Sequence, residues 1–193
     1  MKKVILISTI AALMILLVSY YNIMHRDNTN FDEDSTFLYI NSSDSMANIL
    51  DTINQKIISS KTFLKAAKRL NYTENIKSGR FKVNKGAGNK EIINSLKFKN
   101  TPLTVTFNNQ ERIQDLAGRI SKQILADSIS LLNAFVEKNF LAENGFNTLN
   151  SISMYIPNSY EFFWNVEPNK FRDKMLEEYN NFWNEKRTQQ SES

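Results

Sequence analysis

From Val4 to Met24 the chain reads VILISTIAALMILLVSYYNIM, a run without a single charged side chain. A helix rises about 1.5 Å per residue, so this run reaches across a hydrocarbon core of about 30 Å. Only a membrane or a protein interior can host it. Lys2 and Lys3 precede it and are expected to stay on the cytoplasmic side, while Tyr20 and Tyr21 fall where interfacial rings belong at the other side. A cleaved signal peptide is the competing reading. The run is long for one, and no small-x-small cleavage site follows it. Residues 1–26 are therefore expected to form an uncleaved anchor, with the rest of the chain beyond the cytoplasmic membrane.

The composition removes several kinds of chemistry. Of 193 residues none is cysteine and one is histidine, His25, which lies beside the apolar run. Disulfide scaffolds, zinc fingers, thiol nucleophiles and a Ser-His-Asp arrangement have no residues to use, and no lipoprotein processing site is available. Catalysis would have to rely on carboxylates, hydroxyls or lysines, and neither a metal nor a cofactor is expected. The net charge of +4 suits a polyanionic surface, but no arginine-rich run or nucleic-acid motif accompanies it. No nucleic-acid partner is expected.

Residues 27–36, DNTNFDEDST, have no apolar period and read as a polar, flexible stalk, so that folded structure is expected to begin near Thr36 or Phe37. Residues 37–100 then follow the order strand, helix, helix, strand, helix. TFLYI alternates as a strand, and Asp44 is placed to cap a helix carrying Met46, Ile49, Leu50 and Ile53 on one face. In SKTFLKAAKRL the residues Phe63, Ala66, Ala67 and Leu70 share a face, and Lys61, Lys65, Lys68 and Arg69 fall on the polar side. That cluster suggests salt-sensitive association with wall material, or simply a solvated helix face. SGRFKV is a short strand, and the helix after it turns Ile92, Ile93 and Leu96 inward. Gly86 and Gly88 are not followed by Gly-Lys-Ser or Gly-Lys-Thr, so they read as a turn rather than a phosphate cradle.

At Pro102 the pattern changes. PLTVTF is a β-branched strand closed by Asn108-Asn109, and QERIQDLAGRISKQIL carries a helical stripe of Ile113, Leu116, Ala117, Ile120 and Ile124. Asp127 is a plausible cap for one further helix, DSISLLNAFVEKNFL. Near the end, Pro168 can occupy the first turn of a long helix facing inward with Phe171, Met175, Tyr179 and Phe182 or Trp183. Residues 188–193 form a polar tail with no reason to order. The expected fold class is α+β.

Before that last helix lies SMYIPNSYEFFWN, Ser153 to Asn165, with five aromatic rings and one carboxylate. Strict alternation points Tyr155, Pro157, Ser159, Glu161 and Phe163 one way, and Met154, Ile156, Asn158, Tyr160, Phe162 and Trp164 the other. Neither side is purely apolar. One face is expected to join a core while Asn158, Tyr160 and Trp164 line a groove, and a purely structural role for all the rings remains open.

In order and spacing these segments resemble the YceG-like family of membrane-bound endolytic murein transglycosylases, in the form found in bacteria of the Bacteroidetes type. The carrying features are the amino-terminal anchor, a LysM-like segment containing SGRFKVNKGAGNKEIINSL, the transition TPLTVTFNNQERIQDLAGRISKQIL, and MYIPNSYEFFWN followed by FWNEKR. The resemblance runs to about Arg187. It implies a LysM-like module over 37–100 and, over 101–187, the first part of a transglycosylase domain. It also implies a single-pass protein of the inner membrane with a periplasmic carboxyl-terminal part, acting on peptidoglycan glycan strands alongside peptidoglycan synthases.

The same resemblance places the family's catalytic glutamate in a segment similar to A-S-[IV]-V-E-x-E-T, beyond the FWNEKR helix and so beyond Ser193. The expectation is of a chain cut short before that residue. Such enzymes cleave between MurNAc and GlcNAc without water: a carboxylic acid protonates the glycosidic oxygen, and the muramoyl 6-hydroxyl attacks the anomeric carbon to give a 1,6-anhydro product. Glu161, the one carboxylate within the aromatic stretch, is a weak candidate for that acid, and a solvated strand residue is the plainer reading. A non-catalytic protein that binds the wall or a synthase is the alternative function.

Overall fold

Helix α1 (Lys2–Met24) is exposed along nearly its whole length, and only Met24, at its end, is buried. It is long and apolar enough to cross a membrane. The computed structural model describes residues 2–183, and the fold is α+β. The chain divides into two units, Met1–Thr101 and Pro102–Ser193. The tail expected at 188–193 lies outside the described residues.

In the first unit, β1 (Ser35–Ile40), α2 (Met46–Ile53), α3 (Ser60–Arg69), β2 (Gly79–Asn84) and α4 (Asn89–Phe98) follow one another. β1 and β2 pair antiparallel from Ser35 opposite Asn84 to Ile40 opposite Gly79. That register puts Leu38 across from Phe81 on the inner face. Ile49, Ile53, Phe63, Ala66 and Ala67 close over them, and Ile92, Ile93 and Leu96 complete the core. The cap of α2 differs from expectation. Ser45 makes a reciprocal capping box with Asn48, while the Asp44 carboxylate accepts from the Asn41 N–H at 2.7 Å and closes the preceding turn.

A larger correction concerns the expected stalk. Residues 25–30 are pinned to the first unit: Asn28 N–H donates to the Ala87 carbonyl at 3.1 Å, Ile58 N–H to Asn28 at 3.0 Å, and Asn30 N–H to Lys56 at 2.8 Å. Asn28 is buried, its Nδ2 donating to Asn89 Oδ1 at 2.6 Å and its Oδ1 accepting from Ser59 N–H at 2.8 Å. Asn89 Nδ2 in turn reaches the Ile23 carbonyl at the end of α1, at 2.7 Å. A segment tied down by amide hydrogen bonds shows no apolar period, which is why its order was not legible from hydrophobic pattern. Folded structure thus starts before Thr36.

The second unit contains β3 (Pro102–Phe107), α5 (Ile113–Ile120), α6 (Ser128–Phe135), α7 (Lys138–Glu143), a 3₁₀ turn at Ser151–Met154, β4 (Asn158–Phe163) and α8 (Pro168–Phe182). β3 and β4 pair antiparallel, with Pro102 opposite Phe163 and Phe107 opposite Asn158. Val105, Phe107, Tyr160 and Phe162 face a core filled by Leu116, Ile120, Leu131, Phe135, Phe171 and Met175. Two expected helices are shorter than their apolar stripes. α5 stops at Ile120, and the Gln123 amide then turns back to pair with both backbone groups of Thr106, each at 3.0 Å. The helix expected through Leu141 is two: α6 is capped by Asp127, and Glu137 starts α7 by accepting from Asn139 and Phe140 N–H groups. Pro168 begins α8, as its fixed φ and missing donor suit.

Candidate functional site

Antiparallel pairing brings the end of β3 beside the start of β4, and the residues just outside the ladder there are polar amides. Asn108, Asn109 and Gln110 follow Phe107, while Ile156 and Pro157 precede Asn158. Two adjoining depressions open at this end of the sheet, of about 360 and 340 Å³, and share Ile156, Pro157 and Phe182. The first is bounded by the three amides, Ser153 and Trp183. The second is bounded by Asn158, Tyr160, Glu178 and Asn181. Amide donors and acceptors set among rings and a proline can hydrogen-bond the hydroxyls of a polar ligand while packing its carbon-bound faces.

Each candidate from the aromatic stretch has a definite place. Asn158 is exposed at the mouth. Tyr160 is 8% exposed; its ring stacks on Phe107 at 5.7 Å, and its hydroxyl donates to the Ile156 carbonyl at 2.7 Å. Burial, with the Glu178 carboxylate adding to it, raises the Tyr160 pKa, so the phenol stays protonated and keeps that hydrogen bond. Tyr160 therefore forms a wall of the cleft and orients Ile156. Trp164 is in the turn after β4, where its carbonyl accepts from Leu125 N–H at 2.8 Å. At about 3.3 Å per residue it lies roughly 20 Å along the chain from Asn158. The structure brings Asn158 and Tyr160 together and leaves Trp164 at the other end of the strand.

Glu161 stands on the outer face of the sheet, opposite Thr104 and between Ser159 and Phe163. Its side chain is in solvent rather than in an apolar enclosure, because Phe162 points to the other face, into the core. Around it the outer face carries hydroxyls, with Thr106 and Ser159 hydrogen-bonded at 2.7 Å. Lys174 Nζ donates to the Glu161 carbonyl, not to its carboxylate, at 2.7 Å. Strict alternation holds only within β4: Met154 and Tyr155 are both buried, since the 3₁₀ turn has a different period from a strand.

Several residues of the cleft were missed by sequence reasoning. Asn108 and Asn109 signalled the end of a strand, but the amide-rich triplet through Gln110 was itself the available hint of a polar site. Glu178 and Asn181 lie three positions apart on α8, and nothing local ties them to Asn158. Arg172 was also missed. It is buried, with its guanidinium over the Phe140 ring at 3.5 Å, bonded to Asp173 at 2.7 Å and to the Ala134 carbonyl at 3.3 Å. Those partners make it a tie between α6 and α8 rather than a ligand-binding group. Among the described residues, no three His, Asp or Glu side chains gather to hold a metal ion.

The model of the YceG-like family matches residues 38–193. No curated protein matches the chain. Among solved structures, a yceG-like protein from Listeria monocytogenes is similar at 15% identity and a TM-score of 0.44, over 83% of this chain and 59% of that one. The chain thus spans less than two thirds of that protein's length.

Proposed function

Because this chain belongs to the YceG-like family, whose known members are murein transglycosylases, we propose that it serves endolytic cleavage of peptidoglycan glycan strands. In this reading α1 holds the protein in the cytoplasmic membrane as a single pass, and both units lie on the periplasmic side. The family match over residues 38–193 is the observation that carries the proposal. The cleft at the end of β3 and β4 supports it, because amides beside rings are what a glycan needs.

The chemistry of the class is the transfer of the glycosidic bond to the muramoyl 6-hydroxyl, which requires a proton donor at the leaving oxygen. We assign the described residues to holding the strand rather than to donating the proton. Asn158 and Gln110 hydrogen-bond the sugar, Tyr160 shapes the wall, and Trp164 offers a separate contact in the turn after β4. In the first unit, the strand-helix-helix-strand order of β1, α2, α3 and β2 supports reading residues 37–100 as a LysM-like module that also grips glycan.

The test is incubation of the full chain with unlinked glycan strands, scored for strand binding and for 1,6-anhydro-muramoyl ends. Binding weakened roughly tenfold by Asn158→Ala, about the worth of one hydrogen bond at the upper end of its range, is the expected result. Anhydro ends that vanish in Glu161→Gln would make Glu161 the acid and overturn its placement outside the chemistry. Binding without anhydro ends would favour a wall-binding role, and no binding would remove the cleft from the function.

A further inference from the structure

The basic face of α3 does not look out into bulk solvent alone; it runs beside the outer end of α1. Lys61, Lys65 and Arg69 recur every fourth residue and so share one edge of the helix. The Arg69 guanidinium lies over the Tyr20 ring, 5.0 Å from its centre. Lys65, one turn earlier, borders a cleft of about 720 Å³ between α1 and α3. The floor of that cleft is apolar, formed by Met14, Ile15 and Val18 of α1. Its rim is polar, with Asn22, Arg26, Ser59, Thr62 and Lys65.

The depth of these residues settles what could fill such a cleft. The uninterrupted apolar run ends at Val18, and Ser19, Tyr20, Tyr21 and Asn22 follow, which is the composition of a membrane interface. With α1 across a bilayer, Met14 to Val18 lie at the depth of acyl chains. Arg26, just past the end of α1, then lies at the depth of headgroups, since the six residues from Val18 to Met24 rise about 9 Å, and Lys65 of α3 shares the polar rim with it. Ile58, at the lip of the cleft, is 64% exposed, a position for an apolar side chain that lipid would cover. Arg26 and Lys65 are exposed and make no ion pair among the described residues. One carboxylate, Asp27, also borders the cleft; its Oδ1 accepts from the backbone N–H and the hydroxyl of Thr29, both at 2.8 Å, which holds it in the turn beside the two cations.

We propose that this cleft binds one anionic phospholipid of the outer leaflet, its phosphate between Arg26 and Lys65 and its first acyl carbons against Met14, Ile15 and Val18. The row Lys61, Lys65 and Arg69 would draw anionic headgroups to the same edge. A bound lipid there fixes the angle at which the first unit leaves the membrane. The inference rests on α1 spanning the bilayer.

The experiment uses the full chain in nanodiscs made of equal parts phosphatidylcholine and phosphatidylglycerol, released into the gas phase for native mass spectrometry. Wild-type protein should retain phosphatidylglycerol in preference to phosphatidylcholine. Arg26→Gln with Lys65→Gln should lower that retention about thirtyfold, from two headgroup-level charges. The pair Lys82→Gln and Lys122→Gln, which removes the same charge at residues that do not line the cleft, should leave it unchanged. Equal retention of both lipids, or equal loss in the two double variants, would overturn the lipid site while leaving the anchor intact. Release of the protein from membranes by alkaline carbonate would overturn the anchor, and the lipid site with it.

Discussion

Phe162 of β4 lies flat on Phe171 of α8, with ring centres 4.2 Å apart and planes 19° from parallel. Phe171 also meets Phe135 of α6, at 5.9 Å, so one ring joins the sheet to two helices. It is fully buried, and the cleft residues Asn158 and Tyr160 precede Phe162 on the same strand. Phe171→Ala should therefore destabilise the second unit by about 3–5 kcal/mol, through lost burial and a cavity that rigid neighbours cannot fill. Urea unfolding followed by tryptophan fluorescence measures this. A change below about 1 kcal/mol would mean that the stack does not hold β4 in place.

Asn28 and Asn89 carry the docking of residues 25–30. Asn89→Ala removes the acceptor for Asn28 and the donor to the Ile23 carbonyl, leaving buried polar groups unpaired. The expected loss is about 1–3 kcal/mol for the first unit. Limited proteolysis should also begin to cut between His25 and Asp34 in the variant and not in the parent. An unchanged digestion pattern would show that backbone hydrogen bonds alone hold the segment.

Gly88 sits against the same segment. A Cβ built there would come within 2.7 Å of the His25 carbonyl oxygen, closer than nonbonded atoms approach. Since Gly88 has an ordinary extended φ of −79°, the constraint is space and not backbone conformation. Gly88→Ala should cost about 1–3 kcal/mol by forcing the chain at His25 away. Gly86, whose added Cβ would meet nothing, is open in space but has φ of +80°, so its alanine variant would be strained in its backbone instead. Thermal melts of Gly88→Ala and Asn89→Ala made singly and together should show less than additive loss, because both act on one contact.

Asp127 offers a test by pH. The Ser130 backbone N–H lowers its pKa most, followed by the Ser130 hydroxyl, with the Ile129 N–H also contributing. The folded-state value is thus below the unfolded one. Its stabilisation of α6 is fully present above the unfolded value of about 4 and is lost as pH falls through the lower, folded value. Asp127→Asn keeps a capping oxygen without the charge, so its melting temperature should fall less steeply than the parent's in that acid window and run parallel to it near neutrality. Parallel curves at every pH would show that the cap is insensitive to its charge.

What the sequence determined by itself was local. An uncharged run from Val4 to Met24 announces a helix that apolar surroundings must cover, and the spacing of Ile49 and Ile53, of Phe63, Ala66 and Ala67, and of Ile113, Leu116, Ala117 and Ile120 assigns inner faces, because a helix returns every 3.6 residues to the same side. Asp127 and Pro168 mark helix starts for equally local reasons. The tertiary structure alone decided the rest. Phe107 and Asn158 are 51 positions apart, and only the pairing of β3 with β4 makes the amides after one strand face the start of the other. Asn28 reads as a loop residue until its partners arrive from the starts of two different helices, Ser59 as the N-cap of α3 and Asn89 as the first residue of α4. Periodicity records which side of an element is apolar, but hydrogen bonds and register between distant segments depend on where the chain folds back, and no window of neighbouring residues contains that information.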